Sequence, residues 1–104
     1  ALPICKLIIT SGQQEGQMIP MLLEEITVGR ATTNATWEIG LQDPAVSRPH
    51  ARFARNDDDT WVLYDMGSSN GTRINNTPVT EQGRPLRDGD ILTIGTTLIL
   101  YRVG

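Results

Sequence analysis

The chain has 104 residues, a net charge of −3, one cysteine and one histidine. That length allows a single domain with one core. Cys5 alone forms no internal disulfide, and with His50 as the only histidine the usual zinc sites are excluded. The charge balance favours neither nucleic acid nor an anionic membrane. No run of about 18 apolar residues and no charged-then-apolar N-terminus is present, so neither membrane insertion nor a signal peptide is expected in this segment, and a cytoplasmic location is.

In chain order, the sequence reads as short strands punctuated by turns. Ile4–Thr10 is apolar and β-branched, and Ser11–Gln17 is a polar loop. Met18–Leu23 and Glu25–Gly29 are the next strand candidates, although the leucine spacing over Met21–Ile26 also permits a helical turn. Ala31–Thr36 is a loop and Trp37–Leu41 a short strand. Ala51–Asn56 alternates, Asp57-Asp58-Asp59 is a solvated hairpin connection, and Thr60–Met66 is a strand. Asn75-Asn76 is a tight turn, because asparagine tolerates the left-handed region. Leu86–Gly89 turns again before a closing hairpin of Asp90–Gly95 and Thr97–Val103. Trp37 and Trp61 are core or half-buried strand residues on this reading. Short strands at this spacing, without helical periodicity, predict an all-β sandwich. Both ends read as strands, so residues 1–104 are expected to be one domain cut from a longer protein.

Three short motifs occupy loops between these strands. Gly29-Arg30 ends the third strand candidate. Ser47-Arg48-Pro49-His50 precedes Ala51–Asn56. Gly67-Ser68-Ser69-Asn70-Gly71-Thr72 follows Thr60–Met66. The second and third fix about eight positions, and from average composition a chance match is on the order of one in 10⁹ per placement. Eight of the nine basic residues are arginine, whose planar fork fits phosphate bidentately. Arginine forks, hydroxyl donors and loop amides are the three kinds of group that suit a phosphate, with its negative charge and several acceptor oxygens.

The ordered motifs resemble the forkhead-associated (FHA) domain over nearly the whole chain. The resemblance implies a sandwich of two antiparallel sheets with about eleven strands that binds phosphothreonine peptides. It assigns Arg30, Ser47, Arg48 and Ser69 to the phosphate and Asn70 to the peptide backbone. Gly29, His50, Gly67, Gly71 and Thr72 become scaffold. The implied partner is a protein phosphorylated by a serine/threonine kinase; no cofactor, metal or catalytic residue is implied. The chain departs from the family pattern at Asn76, where glycine is common, and at Pro49, which biases Arg48 toward an extended conformation.

Two other classes deserve comparison. A hydrolase would use Ser47 as nucleophile and His50 as base, yet no glycine-bounded nucleophile turn surrounds Ser47. A phosphate-independent structural or dimerising sandwich would have no use for a full set of phosphate ligands. Arg52, Arg55 and Arg73 are read as solvated, with the groove's flank as their alternative place.

Overall fold

The computed structural model describes residues 4–104. They form eleven strands and no helix. They make two sheets, one of six strands and one of five. In the first, β1 (Cys5–Ile9) pairs with β11 (Thr97–Val103) and with β2 (Met18–Pro20). There too, β10 (Ile91–Ile94) pairs with β11 and with β7 (Thr72–Ile74), which pairs with β8 (Thr77–Val79). In the second, β3 (Glu25–Arg30) lies between β4 (Ile39–Leu41) and β5 (Ala51–Arg55), and β6 (Trp61–Asp65) joins β5 to β9 (Arg84–Pro85).

Period-two alternation builds the core. Leu7 and Ile9 of β1, Phe53 of β5, Leu63 of β6, Leu92 and Ile94 of β10 and Ile99 of β11 are all 0% exposed. Burying each such side chain is worth about 1.5–3 kcal/mol. Trp61 joins this core, and Cys5 is buried with its sulfur accepting a 3.2 Å bond from the Tyr101 hydroxyl.

Differences from the sequence reading have local causes. The Met18–Leu23 candidate stops at Pro20, and Leu22 and Leu23 are exposed at 68% and 56% in the following turn. No helical turn forms at Met21–Ile26, because Glu25 already pairs with Ala54. Strands β8 and β9 went unread because each contains a proline. Both are edge strands, as is β2 with Pro20, and an edge tolerates a missing N–H. The β3–β4 pair is parallel, so the second sheet is mixed and the other described pairs are antiparallel.

The strand directions sort the loops. The ends of β3, β4, β6 and β10 and the starts of β5, β7 and β11 gather at one end of the sandwich. All three motifs lie there.

Candidate functional site

The second motif is organised by His50. Its ring is fully buried. Nδ1 accepts the Ser47 backbone N–H at 2.9 Å, which leaves Nε2 as the protonated nitrogen, facing the Gly71 carbonyl at 2.9 Å. One imidazole therefore ties the second motif to the third. His50→Ala strands two backbone groups at roughly 1–3 kcal/mol each. A domain of this size shifts by about 4–8 °C per kcal/mol, so its melting temperature is expected to fall by about 8 °C or more. A variant melting like wild type removes the brace from this account.

Two aspartates that the motifs did not point to complete the loops. Asp43 is 7% exposed. Its Oδ1 accepts the Ala45 N–H, and its Oδ2 accepts the Thr96 N–H and the hydroxyls of Thr96 and Thr97. Asp65 receives the N–H groups of Gly67 and Ser68 and the hydroxyls of Ser68 and Thr72. Thr72, 1% exposed, thus closes the third motif onto the end of β6. Burial pushes each carboxyl up, but the donors together outweigh it and hold both below the ordinary value of 3.8.

A depressed folded-state pKa contributes stability that is present above the unfolded value and lost as pH falls through the folded one. Thermal melts are expected to be flat from pH 6 to about 5 and to drop below about pH 4. Asp88, lowered by the Val103 N–H and by Arg102, adds to the same limb. Asp43→Asn is expected to start less stable and to lose less on acidification. An acid limb unchanged in that variant would detach Asp43 from it.

Glycines mark two different needs. At Gly71, φ is +81° with open space around a would-be Cβ, so the backbone conformation asks for glycine. At Gly29 the reason is room, since a Cβ would sit 2.7 Å from the Trp37 ring. That half-buried indole lies in the loop before β4 and donates to the Arg30 carbonyl at 2.9 Å. Gly67 also has a positive φ, +74°. Asn75 and Asn76 sit at φ +49° and +69°, the turn expected of them.

Arg30 at the end of β3, Ser47 and Arg48 of the β4–β5 loop, and Ser69 and Asn70 of the β6–β7 loop line one cavity of about 320 Å³ together with Pro44, Ala45 and Val46. The Arg30 backbone N–H donates to the Ser47 carbonyl at 3.1 Å, while its guanidinium has only a long 3.4 Å contact to the Pro44 carbonyl. Ser47 Oγ accepts the Ser69 N–H at 3.0 Å, which leaves its hydroxyl proton to donate elsewhere. Asn70 Nδ2 donates to the Ala45 carbonyl at 2.8 Å, and its Oδ1 is open. Arg48 is exposed, follows into a cis bond to Pro49, and makes no ion pair among the described residues.

The remaining arginines lie elsewhere. Arg52 pairs with Glu25 at 3.2 Å and lies 4.5 Å over the Tyr64 ring. Arg55 meets Glu24 and Asp59. Arg73 sits exposed mid-β7. None lines the cavity.

An all-β sandwich with a polar, arginine-bearing cavity held by rigid loops at one end is a ligand-docking module. The chain belongs to the FHA domain family, which it matches over residues 26–95. It is 34% identical to an FHA domain-containing protein of Arabidopsis thaliana, over 89% of this chain and 24% of that protein. It is also 34% identical to an oxoglutarate dehydrogenase inhibitor of Corynebacterium jeikeium, over 94% of this chain and 64% of the relative. The chain thus spans about a quarter and under two thirds of those proteins. Among solved structures, a domain from work on phosphothreonine-dependent FHA domain interactions superposes with a TM-score of 0.82 at 30% identity, covering 97% of both chains.

Proposed function

We propose that the cavity at the loop end docks a phosphothreonine-bearing segment of a protein partner, with Arg30, Ser47, Arg48 and Ser69 on the phosphate and Asn70 on the peptide backbone. The observation that carries this reading is the convergence of those five residues on one cavity. The guanidinium of Arg30, which pairs with no carboxylate and makes only a long contact to the Pro44 carbonyl, and the donor hydroxyls of Ser47 and Ser69 suit a tetrahedral dianion, and charge-assisted bonds of this kind are worth about 1.5–3 kcal/mol net each. Asn70 Oδ1 is placed to accept a peptide N–H while its amide holds Ala45. Three such phosphate bonds, less the ordering of a peptide, correspond to affinity in the micromolar range.

The partner is a protein phosphorylated by a serine/threonine kinase, met in the cytoplasm. The domain itself performs no chemistry. Both ring nitrogens of His50 are engaged with backbone groups, so Ser47 has no free base. No helix among the described residues is long and apolar enough to cross a membrane. Titration calorimetry with a degenerate phosphothreonine peptide library, followed by the best binder and its unphosphorylated twin, tests the reading. Binding of the phosphorylated form alone supports it. Equal binding of both, or of neither, would favour a phosphate-independent spacer.

A further inference from the structure

Three of the eight arginines meet carboxylates: Arg52, Arg55 and Arg102. Arg30 and Arg48 line the phosphate cavity. Of the remaining three, Arg73 stands by itself on β7, but Arg84 and Arg87 line one hollow of about 470 Å³ together with Asn75, Thr77 and Asp90. Thr77 belongs to β8 and Arg84 to β9, the edge strands of the two sheets. The hollow also takes in the end of β7 and the residue before β10. The phosphate cavity lies beyond the other ends of those two strands, so the hollow sits toward the opposite end of the sandwich.

Neither guanidinium makes an ion pair among the described residues, although two aspartates flank Arg87 closely in the chain. Both carboxylates are committed to the scaffold. Asp88 Oδ1 accepts Arg102 Nε at 3.0 Å and the Val103 N–H at 2.9 Å. Asp90 Oδ1 accepts the Asn75 amide at 2.9 Å, and its Oδ2 accepts the Arg87 backbone N–H at 2.8 Å. The floor is therefore built without either arginine side chain. Leu86, between the two arginines, is 6% exposed and donates its N–H to the Trp61 carbonyl at 2.8 Å, so both side chains leave an anchored stretch. Two guanidinia face one carboxylate here, a local excess of positive charge in a chain of net charge −3. Arginine forks on a fixed backbone suit a carboxylate or a phosphoryl group, and little ordering opposes their use.

We propose that this hollow is a second anion site, in which Arg84 and Arg87 hold an oxyanion, phosphoryl or carboxylate, carried by a protein segment. It stands whether or not the cavity at the other end reads phosphothreonine. Both arginines are exposed and Asp90 opposes the ligand, so a single oxyanion is expected to bind with a dissociation constant on the order of a millimolar.

The test follows backbone N–H and arginine Nε–H signals by NMR in the Arg30→Ala variant, which silences the phosphate cavity. Inorganic phosphate and an acetylated tetraglutamate peptide are titrated separately at constant ionic strength, because exposed charges are screened by salt. The Arg84 and Arg87 Nε–H signals and the Asn75 and Thr77 N–H signals are expected to move along a saturating curve. Saturation by phosphate alone assigns a phosphoryl ligand, by tetraglutamate alone a carboxylate, and by both the shared oxyanion chemistry. Arg84→Ala and Arg87→Ala are each expected to weaken the binding about threefold or more, and the double variant to abolish saturation. Its fold is expected to hold, since the Arg87 N–H to Asp90 survives in alanine. Arg84→Gln/Arg87→Gln keeps most of each stem without the charge and is expected to lose the binding equally. Shifts that stay linear with both probes, or saturation undiminished in the glutamine pair, overturn the site.

Discussion

Arg30→Ala and Ser47→Ala are each expected to weaken a phosphothreonine peptide by about 30-fold or more while the melting temperature stays within a few degrees of wild type. Removing one partner of a charge-assisted contact costs on the order of 2–5 kcal/mol of binding, and 1.4 kcal/mol is tenfold. The cost to the fold is small because neither side chain carries the loops. Arg30 contributes to the scaffold through its backbone N–H and carbonyl, both of which survive in alanine. Ser47→Ala frees the Ser69 N–H, but Ser69 is exposed and water replaces the lost acceptor. Its own N–H to His50 Nδ1 and its carbonyl to Arg30 are untouched. Calorimetry beside a thermal melt decides the matter. Affinity within about threefold of wild type in both variants would sink the phosphate assignment, and a collapsed melt in either would move that residue to the scaffold.

That division between ligand and brace was partly legible in the sequence. The motifs were visible because each is contiguous, and their loop positions followed from the strands on either side. Asp43 and Asp65 were half visible. Each caps an N–H two residues ahead, Ala45 and Gly67, a local habit of aspartate in turns. The other half was not, since the donors Thr96 and Thr97 lie more than fifty positions from Asp43. No period or spacing announces such a partner. Trp37 shows the same limit. Its strand reading missed that the ring lies over Gly29 from the preceding loop, and this contact explains a glycine whose dihedrals any residue could adopt. The prolines of β8 and β9 hid strand character that only the sheet order could restore, because proline is costly in a central strand and harmless at an edge.

The widest separation is expected among four peptides identical except at one position. A glutamate mimic brings one charge and two planar oxygens to a cavity whose donors come from one strand end and two loops. Losing two charge-assisted bonds costs roughly 3–6 kcal/mol, enough to take a micromolar ligand below detection. Phosphoserine keeps every phosphate contact and lacks one methyl. Transfer of a methyl alone is worth about 0.8 kcal/mol, near fourfold. Two further effects enlarge it. Pro44 and the half-buried Ala45 give the cavity an apolar wall, and β-branching restricts the threonine side chain to fewer rotamers before it binds. The expected order is phosphothreonine, then phosphoserine at least about tenfold weaker, then glutamate and unmodified threonine without detectable binding. Fluorescence anisotropy over the four peptides reads it directly. Equal affinity for phosphoserine would remove the methyl contact from the account, and measurable binding of the glutamate peptide would show that the cavity responds to charge without geometry.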